Sequence, residues 1–222
     1  MSDTTFTCAT CGQSFSLKRE ILDRYPGWVP AKCLKCKNQG AGAKAKKPAK
    51  RKYKKKRRGS SKEENLTTQQ VLAKYTEGPF EGVFTDGACT GNPGPGGWGT
   101  VWVKDNEVFE QRRGHDPNTT NNRMELQALI AAYEMLPKDA EVTIWSDSNL
   151  CVRTINEWAA GWKRLGWKRK TGPVENLELV QKAYHLSLAR RGAKLRWIKA
   201  HNGSRWNEYA DSLATAYSRD EL

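Results

Sequence analysis

The chain reads as an α/β protein: a mixed β-sheet with helices on its faces, preceded by a small cysteine-rich module and a basic connector. Three observations predict this. Residues 80 to 113 hold three β-rich segments in succession, and beyond residue 120 amphipathic segments alternate with short apolar runs. Such an order belongs to a sheet that starts antiparallel and continues through β/α crossovers. Two Cys-x2-Cys pairs occupy the first 36 residues, and a run of almost pure positive charge separates them from the sheet. A length of 222 residues accommodates one ordinary domain and a small one. The expected units are 1–37, a cysteine-rich domain; 38–66, a flexible basic linker; and 67–222, the large domain.

Cys8 and Cys11 form one pair, Cys33 and Cys36 the other, with 21 residues between the pairs. Thiolates two residues apart on a tight turn can share a metal ion, and two such knuckles complete a tetrahedron. Some 36 residues cannot bury an adequate core, so a metal staple also explains how this piece folds. One structural Zn²⁺ is the expected ion, with iron or a redox pair as alternatives, and the module looks like a zinc ribbon. Phe6, Phe15, Tyr25 and Trp28 are read mostly as its small core.

The formal charge of +14 is unevenly spread. Residues 37 to 58 hold 12 Lys and Arg and no acid, while residues 59 to 222 hold 21 of each sign. Lys44 to Arg58 has 11 basic residues in 15 and no apolar face, so it should be disordered when free. Its expected partner is the phosphate backbone of nucleic acid, bound through counterion release. In a eukaryote the same run would serve as a nuclear signal. No apolar run is long enough to cross a bilayer, and the amino terminus has no apolar leader. The expectation is therefore a monomer in a reducing, cytoplasmic interior, away from membranes.

In the large domain, residues 67 to 76 suggest a short lead-in helix. Phe80–Asp86, Trp98–Lys104 and Val108–Arg113 read as strands, followed by a helix over Asn122–Leu136 and a strand over Glu141–Trp145. Helices over Asn149–Ala159 and Glu175–Arg191, a strand over Lys194–Ile198 and a helix over Arg205–Arg219 complete the chain. Asp86 ends an apolar strand just before a run of Gly and Pro, where glycine lets another backbone come close. Taken alone, it is an exposed acid starting a turn. Glu125 at the start of a helix, Asp147 just past a strand and Asp211 in the last helix change that reading. Four carboxylates meeting in one place repel unless hard cations neutralise them, and oxygen-only ligands favour Mg²⁺ or Mn²⁺.

The segments T-D-G (85–87), T-N-N-R-M-E-L (120–126), S-D-S (146–148) and H-N-G followed by N-E-Y-A-D (201–211) together resemble the ribonuclease H type 1 family. The resemblance spans about residues 80 to 218. It implies an RNase H-like mixed five-stranded sheet flanked by helices, and an endonuclease that hydrolyses the RNA strand of RNA/DNA hybrids with two Mg²⁺ ions, Mn²⁺ being a substitute. Asp86, Glu125, Asp147 and Asp211 would hold those ions, and His201 would assist proton transfer or product release. Asn92, Asn121 and Asn122 match positions that contact the hybrid. Thr120 and Asn176 match a pocket for a DNA-strand phosphate, although Asn118 stands where some relatives carry Arg. Asn149 has the same donor and acceptor character. Trp158, Trp162 and Trp167, interleaved with Lys163, Arg164 and Lys168, resemble the basic protrusion that holds the DNA strand. Two other classes remain open on sequence: a non-catalytic nucleic-acid-binding module with the same fold, and an integrase-like nuclease acting on DNA.

Overall fold

The computed structural model describes residues 3–39, 65–169 and 171–219. The basic stretch Lys44 to Arg58, with its expected disorder and phosphate contacts, lies outside the described residues. The chain divides into two compact units, Met1–Ser60 and Ser61–Leu222.

The first unit opens with an antiparallel hairpin, β1 (Thr4–Thr7) and β2 (Ser14–Leu17), that sets Phe6 opposite Phe15 with ring centres 6.0 Å apart. Helices α1 (Arg19–Asp23) and α2 (Leu34–Gln39) follow. Its buried residues, among the described ones, are Cys8, Pro30 and Cys33. Tyr25 and Trp28, read from sequence as core, are instead 57% and 47% exposed. A unit this small has no second layer to cover them.

The second unit begins with α3 (Thr68–Lys74), closed by a capping box between Thr67 and Gln70. Strands β3 (Gly82–Cys89), β4 (Gly94–Lys104) and β5 (Glu107–Thr119) form an antiparallel meander. Helix α4 (Asn121–Met135) leads to β6 (Val142–Ser146). Helix α5 (Asn149–Arg153), a π-helical turn over Thr154–Trp158 and α6 (Ala159–Arg164) then make one continuous helical segment. A two-residue ribbon, β7 (Lys168–Arg169) with β8 (Gly172–Pro173), precedes α7 (Leu177–Ala189), β9 (Ala193–Trp197) and α8 (Arg205–Thr215). The sheet order is β5-β4-β3-β6-β9, with β6 parallel to both β3 and β9. This is the predicted mixed five-stranded sheet.

Strand alternation divides the core. Val83, Trp102 and Ile144 face a cluster with Leu126, Leu129 and Tyr133 of α4 and Val180 of α7. Their neighbours Phe84, Val101 and Val103 face the other side, against Val71 of α3 and Trp206, Tyr209 and Leu213 of α8. With both faces covered, the central strands read as nearly continuous apolar runs. The first two strands extend further into the Gly and Pro run than the sequence suggests. Pro95 is tolerated because the β4–β5 register shifts between Gly94 and Gly96, so it sits at a bulge. No helix among the described residues is long and apolar enough to cross a membrane.

Candidate active site

Strands β3 and β6 run side by side in parallel and deliver Asp86 and Asp147 to the same end of the sheet. Asp86 lies within β3, opposite Gly99 of β4, and Asp147 follows the last residue of β6. The third acid arrives because Gly87 has no side chain. A Cβ there would stand 2.2 Å from the Glu125 amide nitrogen and 2.5 Å from the Met124 carbonyl carbon. The first turn of α4 therefore rests directly on β3, and Asp86, Glu125 and Asp147 bring carboxylate oxygens within 4.8 Å of one another.

Asp86 and Glu125 are buried, each 6% exposed. Burial pushes both carboxyls well above the usual carboxylate range, and the charge of Asp147, then of the other acids, pushes them further. Burial also raises Asp147, opposed by a hydrogen bond from Asn207 Nδ2 to its Oδ2 at 3.1 Å and by nearby His201. Glu125 Oε1 accepts from Asn121 Nδ2 at 3.5 Å, whereas its Oε2 is buried without a hydrogen-bond partner. A buried carboxylate oxygen with no donor, facing two further carboxylates, is a place built for a cation.

Asp211 on α8 and His201 line the same cleft of about 530 Å³, together with Cys89 and Asn121. They group with Glu208 as a second set of ligand atoms within 4.8 Å. His201 is exposed in a left-handed backbone conformation, φ 46°, with Nδ1 3.9 Å from Glu208 Oε2. A larger groove of about 1060 Å³ opens at the other end of the parallel strands, among Glu81, Lys104, Glu141 and Lys194. Its acids, Glu81, Asp105, Asp139 and Glu141, stand among Lys104, Arg191 and Lys194, whereas the carboxylates that gather within reach of one cation, Asp86, Glu125 and Asp147, line the smaller cleft.

The other predicted residues surround that cleft unevenly. Asn92 Oδ1 accepts the backbone N–H of Asn121 at 3.2 Å, tying the β3–β4 turn to the start of α4. Asn122 Oδ1 accepts from the buried Cys151 Sγ at 3.7 Å. Thr120 precedes α4, and Asn176 precedes α7 in a left-handed conformation. Asn149 opens α5 and is exposed. Trp158 and Trp162 lie 5.9 Å apart, and Trp162 and Trp167 pack partly on the core. Lys163, Arg164 and Lys168 stay exposed beside them.

Three residues escaped the sequence reading. Asn207 and Glu208 stood inside a quoted motif, but only the α8 geometry turns them towards Asp147 and His201. Arg123 donates to Asn176 Oδ1 at 3.3 Å and to Glu178 Oε1 at 2.7 Å, so a cation does reach the position that lacks an arginine at 118.

In the first unit, Cys8, Cys11, Cys33 and Cys36 bring their sulfurs within 4.8 Å of one another. The Cys33 amide donates to Cys8 Sγ at 3.2 Å and holds that thiol down at about 6. Hydrogen bonding with Cys11 pushes Cys36 up to about 12. Four sulfurs at this separation could all ionise only around a cation.

The RNase H family model matches residues 81–219. Over 136 residues the chain is 46% identical to a ribonuclease H of Herminiimonas arsenicoxydans, covering 60% of this chain and 90% of that one. A ribonuclease H of Rhizobium etli is 47% identical over 133 residues, 60% of this chain and 87% of its own length. The PFV RNase H domain, solved in solution, shares the fold with a TM-score of 0.53 at 22% identity, covering 64% of this chain and 97% of that one.

Proposed function

The chain belongs to the RNase H family, and from that premise we infer how its residues cleave nucleic acid. It is an endonuclease that hydrolyses the RNA strand of RNA/DNA hybrids, leaving 5′-phosphate and 3′-hydroxyl ends. The observation that carries this reading is the cluster of Asp86, Glu125 and Asp147 at one end of the parallel strands, with Asp211 lining the same cleft.

The family uses divalent metal, and the donor set here fits it: oxygen ligands only, one of them buried without a donor. Asp86, Glu125, Asp147 and Asp211 would hold two Mg²⁺ ions, or Mn²⁺ in their place. Such a pair supplies an activated water and charge for the departing 3′-oxygen. Asn207 fixes the rotamer of Asp147 through its 3.1 Å hydrogen bond. His201, exposed at the cleft mouth, carries protons between the departing oxygen and solvent. Asn92 and Asn121 present amide groups that both donate and accept, which suits sensing 2′-hydroxyls across a minor groove. Thr120, Asn176 and Arg123 form the DNA-phosphate contact, while Trp158, Trp162, Trp167 and the exposed cations beside them carry the DNA strand onward.

The four cysteines of the first unit hold one structural Zn²⁺. That unit and the basic run behind it add affinity for nucleic acid. The test uses a labelled hybrid, with duplex DNA of the same sequence as control. Cleavage of the RNA strand with Mg²⁺, none with EDTA, and loss of at least 1000-fold in Asp147→Asn with hybrid binding retained are the expected results. Undiminished cleavage by Asp147→Asn, or equal cleavage of duplex DNA, would overturn this reading.

A further inference from the structure

Tyr25 and Trp28 are the two most conspicuous side chains that the catalytic reading leaves without work. The segment Tyr25-Pro26-Gly27-Trp28 is a tight turn closed by the Trp28 amide donating to the Tyr25 carbonyl at 3.1 Å. Pro26 occupies the second position and Gly27 the third, with φ 83°. This is the chemistry of a type II turn, in which proline presets the backbone and glycine supplies the positive φ. The turn is rigid for local reasons and holds the two rings 6.3 Å apart at 66°. Ile21 and Val29 beside them in sequence are also exposed, at 41% and 72%.

An aromatic pair displayed this way has few economical uses. It is not the core of the unit, because the rings are about half exposed and the buried residues are Cys8, Pro30 and Cys33. The charge around it selects the partner. Residues 3–37 carry Lys18, Arg19, Arg24, Lys32, Lys35 and Lys37 against three acids, and the sequence continues into the Lys44–Arg58 run. An acidic polymer with flat faces fits both features. Bases inside a duplex stack on each other and leave only their edges accessible, whereas unpaired bases offer their faces to aromatic rings.

We propose that the Tyr25–Trp28 turn is a stacking platform for unpaired nucleotides, so that the first unit grips a single-stranded extension next to the hybrid that the second unit cleaves. The proposal rests on the hybrid-cleaving reading for its second half only. Stacking on the rings provides affinity without sequence preference, and the neighbouring cations meet the phosphates.

The test measures binding of the full-length chain, in Ca²⁺ to block turnover, by fluorescence anisotropy at fixed salt. The probes are a blunt hybrid, the same hybrid with a single-stranded DNA extension, the same hybrid with a single-stranded RNA extension, and oligo-dT alone. Wild type should bind at least one extended hybrid about 10-fold or more tightly than the blunt one. Tyr25→Ala/Trp28→Ala should erase that preference, a loss of about 10- to 100-fold on the extended probe. Tyr25→Phe/Trp28→Phe should keep it, since the rings remain. Metal content equal to wild type in both variants establishes that the cysteine unit is folded. Equal affinity of wild type for blunt and extended hybrids overturns the proposal. So does a folded Ala variant that keeps the preference, or one whose only change is lost self-association in sedimentation, which assigns the face to a second copy. Failure of the wild-type chain to cleave any hybrid instead overturns the catalytic reading, while the oligo-dT arm still judges the platform.

Discussion

Replacing Gly87 by alanine should disable the site without touching a carboxylate. The backbone there is not left-handed, so alanine meets no conformational strain and the whole effect comes from contact. Its Cβ would lie 2.2 Å from the Glu125 nitrogen, 2.5 Å from the Met124 carbonyl carbon and 2.8 Å from the Glu125 Cα. All three are backbone atoms and cannot swing aside, so the start of α4 must retreat by about 1 Å to restore ordinary contact. Overpacking of this kind costs about 1–3 kcal/mol. The reduced freedom of the unfolded chain returns about 0.4–1 kcal/mol. A net loss near 1–2 kcal/mol lowers the unfolding midpoint of a domain this size by roughly 2–8 °C. Activity should fall more steeply, because Glu125 moves with α4 and a displacement of about 1 Å from productive geometry costs about 100-fold. Single-turnover cleavage of a labelled hybrid and calorimetry measure the two effects. Gly161→Ala is the control: a Cβ there meets nothing within 4 Å, and the helix should gain slightly in stability. A Gly87→Ala chain with a rate within threefold of wild type and an unchanged midpoint would refute the close-packing argument.

Three further outcomes follow from the same geometry. Asp86 is raised by burial and by its acidic neighbours, so the folded state holds its proton to higher pH than the unfolded chain does; in EDTA its contribution to stability should decline as pH rises above about 4, the ordinary carboxylate range. Thermal midpoints of wild type should therefore fall across that window more than those of Asp86→Asn, and Mg²⁺ should restore them in wild type. Deleting residues 1–58 should weaken hybrid binding and flatten its salt dependence, by a slope of about 4 to 5 if about five phosphate contacts are lost, while sparing kcat; titrations between 50 and 200 mM salt measure this. Cys11→Ser should reduce bound zinc below one per chain by metal analysis and lower hybrid affinity, with the unfolding midpoint of the second unit unchanged.

Three of the acids were legible at breaks in the local pattern, Asp86 at the end of an apolar run, Glu125 near the start of a helix and Asp147 at a polar break after a strand, whereas Asp211 lies inside α8 and was legible only through the N-E-Y-A-D motif. The mixed character of the sheet followed from three β segments ahead of β/α alternation, while the order of its strands came only with the structure. What stayed hidden depended on rotation and packing. Asn207 and Glu208 sit on α8 at positions whose direction is set by Trp206 and Leu213 on the opposite face, and no local pattern reports that. Tyr25 and Trp28 read as core because aromatics usually are, yet a unit with one hairpin and two short helices has nowhere to put them. The extension of β3 to Cys89 and β4 back to Gly94 was masked by Gly and Pro, which normally end strands, and a bulge accommodates them here. The sequence pattern ends the helical segment after Asn149 at Ala159; the segment passes through a π turn and runs on to Arg164, bringing Asn156 Nδ2 to the Leu195 carbonyl at 3.0 Å.

Asp86 occupies the middle strand of five, held by a ladder on each side and roofed by helices above and below. Its amide and those of its β3 neighbours should exchange with solvent only when the entire domain comes apart. The carboxylate that this strand carries is thus as permanent as the folded state itself. Heating should leave Asp86 in register until the melting point and dislodge it only there.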